Sequence, residues 1–120
     1  MEGKTLLVVD DDEMCRRAVS NFAKKNKIDV DAVGCGTDAI NKIKENSGKY
    51  NVIMIDMFMP DMNGYETAKA LKEIEGDKIG KLVIMSGDDL PESEYSQHGF
   101  TKYLQKPVGK KAFEKLMTEI

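Results

Sequence analysis

Cysteine is scarce in this chain, with only Cys15 and Cys35 among 120 residues. The two lie in separate predicted elements and form no CxxC pair, so we expect buried, reduced thiols and no disulfide framework. No apolar run approaches the ~20 residues that cross a bilayer. The N-terminal residues 1–5 lack the charged and apolar regions of a signal peptide. These absences predict a cytoplasmic protein without membrane association.

Basic residues are not in excess, since 18 Lys and Arg stand against 21 Asp and Glu, giving a net charge of −3. Basic pairs such as Arg16-Arg17 and Lys110-Lys111 are scattered along predicted helices, where solvated helix faces explain them. Nucleic-acid binding is therefore disfavoured. The glycine-rich loops of P-loop NTPases and of dinucleotide-binding enzymes are both missing, which excludes those two classes.

Short apolar runs alternate with helical patterns along the chain. Buried strands are predicted at 5–9, 51–55 and 81–85, with a weaker strand at 28–33 and a short one at 102–104. Apolar positions with a 3.6-residue period predict helices between the strands, and Thr37 is predicted to cap the second helix. This (βα)₅ alternation is typical of an α/β fold with a parallel five-stranded sheet covered on both faces. Without linkers or repeats, residues 1–120 are expected to form one domain.

Polar side chains follow the predicted strands at the edge where ligands bind in open parallel sheets. Asp10 and Asp11 end the first strand, Asp56 ends the third, Ser86 ends the fourth and Lys106 follows the fifth. Crowded carboxylates repel one another, and a bound Mg²⁺ ion is the simplest way to relieve this repulsion because it prefers oxygen ligands. A lysine and a hydroxyl neutralise and position a transferring phosphoryl group while a carboxylate attacks phosphorus. The pattern therefore predicts an aspartyl phosphate, a short-lived linkage suited to signalling.

Some of these residues, taken singly, also have a simpler interpretation than a phosphorylation site. The run Asp10-Asp11-Asp12 would also suit an acidic helix start, and for Asp12 that is the prediction made here. Lys106 taken alone would be a surface lysine. His98, the only histidine, has no ligand partner nearby in sequence and is predicted to lie at the surface.

Four segments in the same order resemble the receiver domain of two-component response regulators, over almost the whole chain. They are Val8-Val9-Asp10-Asp11, Ile53-Met54-Ile55-Asp56-Met57-Phe58-Met59-Pro60-Asp61-Met62-Asn63-Gly64, Ile84-Met85-Ser86-Gly87 and Leu104-Gln105-Lys106-Pro107. The resemblance implies a flavodoxin-like, doubly wound sheet of strand order 2-1-3-4-5.

The resemblance also implies roles around the acceptor. Asp56 would be the phosphoacceptor, and Asp11 would ligate Mg²⁺ directly. Asp10 would support the metal mainly through bound water, and the backbone carbonyl of Phe58 would complete the protein ligands.

Further roles concern the switch. Ser86 would turn its hydroxyl toward the phosphate, and Lys106 would pair with the acceptor carboxylate and then with the phosphoryl oxygens. Tyr103 resembles the aromatic residue whose position reports the switch, and Pro107 resembles the family's cis-proline.

The implied function is a phosphorelay switch that takes its phosphoryl group from a histidine kinase or a histidine phosphotransfer protein and then changes effector binding. Its enzymatic activity would be limited to its own phosphorylation and slow hydrolysis. No output domain is apparent, so a stand-alone protein and a domain of a hybrid kinase both remain open. A phosphorylation-independent binding module is the alternative. A haloacid-dehalogenase-type phosphatase is disfavoured because that class has a second Asp where this chain has Phe58.

Two departures from the family pattern stand out. Phe58 puts a large apolar side chain beside the acceptor, where it should influence water access. The segment from Ser86 to Lys106 is polar, poorly periodic and shorter than is usual for the family. We therefore expect a short or distorted fourth helix and, because many receivers dimerise through that face, a monomer.

Overall fold

The computed structural model describes residues 3–120. Residues 1 and 2, which belong to the predicted domain and to the N-terminus discussed above, lie outside the described residues. Strands and helices alternate as the sequence predicts. The strands are β1 (Thr5–Val9), β2 (Asp29–Val33), β3 (Val52–Asp56), β4 (Lys81–Ser86) and β5 (Phe100–Gln105). The helices are α1 (Glu13–Lys25), α2 (Gly36–Glu45), α3 (Gly64–Glu75), α4 (Glu92–Tyr95) and α5 (Lys110–Glu119).

The five strands form one parallel sheet in the order β2-β1-β3-β4-β5. This confirms the flavodoxin-like, doubly wound architecture and its 2-1-3-4-5 strand order. The inner strands β1, β3 and β4 are almost wholly buried, because helices cover both faces of a parallel sheet. No residue of the outer strand β2 is fully buried, and two of its five residues are aspartates, which explains its weaker sequence signal.

The sheet separates two apolar layers. Alternate residues of a strand point to opposite faces, so Leu6 and Val8 enter one layer while Leu7 and Val9 enter the other. The first layer is completed by α1 and α5, and the second by α2 and α3. Members of the first include Val19, Ala23, Met54, Met85, Phe113 and Met117; members of the second include Ala39, Ile43, Ile55, Ala68, Leu71 and Ile84. These layers fix the strand ends on which the polar residues stand.

The structure confirms the predicted start of α1 but not the predicted cap of α2. Asp12 caps α1, its carboxylate accepting the Met14 N–H at 3.0 Å. The prediction that Thr37 caps α2 is wrong, because Cys35 occupies the cap position and α2 begins at Gly36. The Thr37 hydroxyl and N–H instead donate to the Asp61 carboxylate, a charged and therefore stronger acceptor from a neighbouring loop.

The fourth helix is short, as predicted. It has a single turn and is followed by a 3₁₀ turn at Ser96–His98, which ends at Gly99 in the left-handed region. His98 is not simply a surface residue, since its ring is half-buried and stacks on Tyr65 with centroids 3.9 Å apart. The segment thus stays attached to α3 despite its weak helical pattern.

Strand β5 is longer than predicted and begins at Phe100, which is buried and pairs with Leu82 beside an irregularity in register. Both thiols are free, with Cys15 buried and Cys35 only half-buried. Within residues 3–120 no helix has the length and apolar character needed to cross a membrane.

Candidate functional site

Three carboxylates meet at the carboxyl ends of β1 and β3. Asp10, Asp11 and Asp56 each offer an oxygen within 4.8 Å of the other two. The two strands are direct neighbours in the sheet, so residues that end them are placed side by side. Asp10 is fully buried and Asp56 is 4% exposed, whereas Asp11 faces solvent. The site therefore has a buried base and an open mouth.

Lys106 is the cation of this site. Its Nζ lies 2.9 Å from Asp10 Oδ2 and 3.6 Å from Asp56 Oδ2. Lys106 is held in place by its backbone N–H, which donates to the Ser86 carbonyl at 2.8 Å, and it precedes Pro107 through a cis peptide bond. Burial acts to lower the pKa of Lys106, but its hydrogen bond to Asp10 and the charges of Asp10 and Asp56 raise it above its usual value. The ammonium group is nearer to Asp10 than to Asp56.

Asp56 has an unusually high proton affinity. Burial, followed by the negative charge of Asp10, raises the pKa of Asp56 from 3.8 to about 7. The charge of Lys106 and a hydrogen bond from the Phe58 backbone act in the opposite direction. A buried carboxyl with a perturbed pKa at a ligand-binding edge is typical of functional groups.

The donor set fits a small, hard cation. Asp10 Oδ2 is buried and, among residues 3–120, finds no hydrogen-bond partner of good geometry, although Lys106 neutralises part of its charge. Carboxylate oxygens from three residues at one open pocket are ligands that Mg²⁺ accepts. A divalent ion here would relieve the repulsion that raises the pKa of Asp56.

Ser86 and Tyr103 belong to a hydrogen-bonded loop beside the acidic group. The buried Ser86 hydroxyl accepts the Asp88 N–H at 3.0 Å. The half-buried Tyr103 donates its hydroxyl to the Asp88 carbonyl at 2.9 Å and lies 3.3 Å from the Ser86 carbonyl. Its ring stacks on Tyr95 of α4 with centroids 6.3 Å apart. A single set of contacts thus connects the end of β4 with the short fourth helix.

Two large apolar side chains are exposed near the site, beside the exposed Asp11 and Asp12. Phe58 is 57% exposed and Met14 is 80% exposed, although both side chains are large and hydrophobic. Met14 lines a cavity of about 500 Å³ together with Ala18, Pro107 and Val108, and Lys106 borders it as well. Such exposed apolar groups beside a charged pocket are suited to protein contacts.

Sequence reasoning missed two groups that position the site. Arg16 donates from Nη1 to the Asp10 carbonyl at 2.8 Å, and no spacing rule connects a helix arginine with that carbonyl. The Asp61 carboxylate joins the loop after Asp56 to the start of α2. Its partners are about 25 residues earlier in the chain, so only the fold brings them together.

Comparison with known proteins gives the family. The model described as "Response regulator receiver domain" matches residues 6–118. Protein PilG of Pseudomonas aeruginosa is 30% identical over 111 residues, which cover 91% of this chain and 81% of that protein. Two-component response regulator ORR24 of rice is 30% identical over 109 residues, 88% of this chain. The chain spans only 17% of the length of the rice protein, so that comparison concerns this part alone.

Solved structures agree with the sequence relatives. Chemotaxis protein CheY4 of Vibrio cholerae has a TM-score of 0.88 and 25% identity, with 98% of each chain covered. A CheY-like receiver domain of Methylobacillus flagellatus has a TM-score of 0.85 and 25% identity, with 97% of each chain covered. This chain therefore belongs to the response regulator receiver domains of two-component systems, a family of phosphorylated, generally non-enzymatic switches that bind Mg²⁺ in an acidic pocket.

Proposed function

We propose that this receiver domain takes a phosphoryl group from a phosphohistidine onto Asp56. The observation that carries the proposal is the buried Asp56 carboxylate, with two further acidic groups within 4.8 Å and the Lys106 ammonium group at 3.6 Å. A nucleophile, a cation and potential metal ligands meet there at one sheet edge. The donor would be a histidine kinase or a histidine phosphotransfer protein.

The chemistry assigns a separate task to each side chain. An Asp56 oxygen attacks phosphorus, the new O–P bond forms, and the P–N bond of the phosphohistidine breaks with its electron pair returning to the imidazole. Lys106 supports this step because its charge favours the ionised carboxylate and attracts the phosphoryl oxygens. Burial of Asp56 limits the access of water to the resulting acyl phosphate. The chain's catalytic activity is thus restricted to its own phosphorylation and slow hydrolysis.

Mg²⁺ is part of this proposal. Asp11, Asp56 and the Phe58 carbonyl would hold the ion, with Asp10 acting mainly through bound water. When bound, the ion supplies positive charge for the phosphoryl oxygens and favours the ionised form of Asp56. The crowding of three carboxylates within 4.8 Å of one another supports this assignment, since the single ammonium group of Lys106 neutralises only part of their charge.

We assign the switch to Ser86 and Tyr103. To reach a phosphate on Asp56, the Ser86 hydroxyl would exchange its present hydrogen bond from the Asp88 N–H for one to the phosphate. Loss of that bond would loosen the Asp88 backbone, which is also the partner of the Tyr103 hydroxyl. Phosphorylation would then shift an existing equilibrium of the loop and of α4, and so change effector binding.

The proposal also covers the domain organisation, oligomeric state, location and partners of the protein. We propose that residues 1–120 form a single receiver domain that acts as a monomer in the cytoplasm. The domain would exchange phosphoryl groups with one protein and present its altered surface to another. Its net charge of −3 offers no support for direct contact with nucleic acid.

Intact-protein mass spectrometry tests the proposal. The protein is incubated with Mg²⁺ and acetyl phosphate, and in parallel with a phosphorylated histidine phosphotransfer domain. The expected result is one phosphoryl group that requires Mg²⁺, is released by hydroxylamine and is absent from Asp56→Asn. Asp77→Asn serves as the matched control, because Asp77 is an exposed aspartate outside the site. If neither donor modifies the wild-type protein, the phosphoacceptor role is refuted and the chain is a phosphorylation-independent binding module.

A further inference from the structure

The N-terminus of α2 lacks an oxygen cap of its own. Cys35 precedes the helix, and its Sγ accepts the Asp38 N–H at 3.4 Å, a weak interaction for a cap. Serine, threonine and aspartate are the usual residues at this position because their oxygens satisfy the first free N–H groups. The N–H groups of Gly36 and Thr37 therefore depend on an acceptor from elsewhere in the fold.

That acceptor is Asp61, in the loop that follows Asp56. Its Oδ2 accepts the N–H and the hydroxyl of Thr37, both at 3.1 Å. Its Oδ1 accepts the Gly36 N–H at 3.3 Å and the N–H of the adjacent Met62 at 2.8 Å. One carboxylate thus joins the acceptor loop to α2, with the negative charge placed at the positive end of the helix dipole.

The junction is close-packed as well as charged. A Cβ atom on Gly36 would lie 2.8 Å from the Met62 sulfur and 2.7 Å from the Thr67 hydroxyl, so any larger residue would have to displace these side chains. Burial acts to raise the pKa of Asp61, but the hydrogen bonds from Thr37, Met62 and Gly36 outweigh it and hold the pKa below its usual value. The carboxylate is therefore ionised in its role as the joining group.

Before Asn63, which caps α3, Asp61 is the one polar side chain with which the loop can anchor itself. Between Met57 and Met62 every residue except Asp61 is apolar. The base of the loop is closed by backbone bonds, from Gly64 N–H to the Met57 carbonyl and from Met57 N–H to the Met85 carbonyl, both at 2.8 Å. Phe58 lies between this closed base and the Asp61 junction, and its side chain is largely exposed.

We propose that Asp61 is a positioning residue: by tying the acceptor loop to α2 it fixes the Phe58 backbone beside Asp56, and thereby sets the affinity of the site for Mg²⁺. The inference rests on the proposed function, since it concerns the same metal site. Asp61 itself does not contact the acidic group. It acts through the loop, in the way that outer partners of metal ligands do.

Calorimetric titration with Mg²⁺ tests this role in Asp61→Ala, Asp61→Asn and Thr37→Val. We expect Asp61→Ala to weaken binding about 10-fold, the lower end of the loss seen for outer-shell partners. Asp61→Asn keeps one acceptor oxygen, so we expect it to lose less Mg²⁺ affinity than Asp61→Ala. Thr37→Val removes only one of the four donors, so we expect its loss of affinity to be the smallest of the three. Asp77→Asn, which removes the same charge from an exposed site away from this loop, should leave the dissociation constant unchanged.

Phosphorylation by acetyl phosphate at increasing Mg²⁺ separates positioning from general damage. A weakened metal site recovers its rate when Mg²⁺ is raised about 10-fold, whereas a loosened fold does not. If Asp61→Ala does not fold, as judged by circular dichroism, Asp61→Asn and Thr37→Val carry the test. Folded Asp61 variants whose Mg²⁺ affinity stays within about twofold of wild type would overturn this inference and leave the proposed function standing. A wild-type protein that neither binds Mg²⁺ nor becomes phosphorylated would overturn the proposed function together with it.

Discussion

Replacing Asp56 by asparagine should stabilise the metal-free protein at neutral and alkaline pH. The wild-type carboxyl is 4% exposed and shares its pocket with the charge of Asp10. These conditions, burial first, raise its pKa from 3.8 to about 7. Keeping this group ionised in the folded state is therefore unfavourable, and an amide of the same shape removes the charge.

The sign and size of the effect follow from linkage between folding and proton binding. Below pH 3.8 the carboxyl is protonated in both states and no penalty exists. Between pH 3.8 and about 7 the folded state keeps a proton that the unfolded state releases, so stability falls as pH rises. Above pH 7 the penalty is complete and amounts to about 4 kcal/mol at about 1.4 kcal/mol per pH unit. The pKa of about 7 already includes the attraction of Lys106, and a buried amide replaces a protonated carboxyl of the same shape, so we expect a gain of about 4 kcal/mol.

Urea unfolding followed by circular dichroism, at several pH values and with a chelator, measures the difference. With a slope of about 2 kcal/mol/M, the midpoint of Asp56→Asn should lie about 2 M above wild type at pH 8 and nearly coincide with it near pH 4. Asp77→Asn controls for the loss of an exposed charge. Equal midpoints at pH 8, or a difference that does not shrink in acid, would refute the argument that burial and Asp10 destabilise the ionised carboxylate.

Three further predictions concern stability. Gly80→Ala should destabilise the protein by about 3 kcal/mol in thermal unfolding, because its Cβ would lie 2.3 Å from the Tyr50 carbonyl oxygen; an unchanged melting temperature would contradict this. Tyr50→Phe removes the 2.6 Å hydrogen bond to Asp31, the main cause of the lowered pKa of that carboxyl. We expect a loss of about 1 kcal/mol at pH 7 that disappears as pH falls through the folded-state pKa of Asp31, measured by urea unfolding. Lys106→Met leaves two buried carboxylates without their cation and should destabilise the metal-free protein by about 3 kcal/mol. Adding Mg²⁺ should restore part of the lost stability. Destabilisation that Mg²⁺ does not relieve would argue against a metal site beside Lys106.

Much of the architecture was predictable because local signals agreed with one another. The apolar β-branched runs of β1, β3 and β4 are buried on both faces, and such runs are typical of the central strands of a parallel sheet. The polar, poorly periodic segment after Ser86 predicted a short fourth helix, and α4 has a single turn. Strand order needed the family resemblance, since the alternation alone leaves several topologies open.

The contacts that the sequence did not predict join distant segments of the chain. Thr37 was predicted as a cap from its residue type, but the position of Asp61 makes Thr37 a donor within the first turn of α2. His98 had no partner nearby in sequence, yet it stacks on Tyr65 from α3. In both cases the partner lies more than 20 residues away, where spacing rules carry no information.

The residues at the ends of the strands can be named from the printed chain, because strand periodicity and chain order fix them. Asp10, Asp11, Asp56, Ser86 and Lys106 could therefore be named as a group from the printed chain. Their pairing depends on the fold: Lys106 lies closer to Asp10 than to Asp56, and one oxygen of Asp10 lacks a hydrogen bond within the described residues. Burial, charge separation and pKa depend on distances of a few ångströms across the packed layers, and these distances arise only when helices from the whole chain close over the sheet.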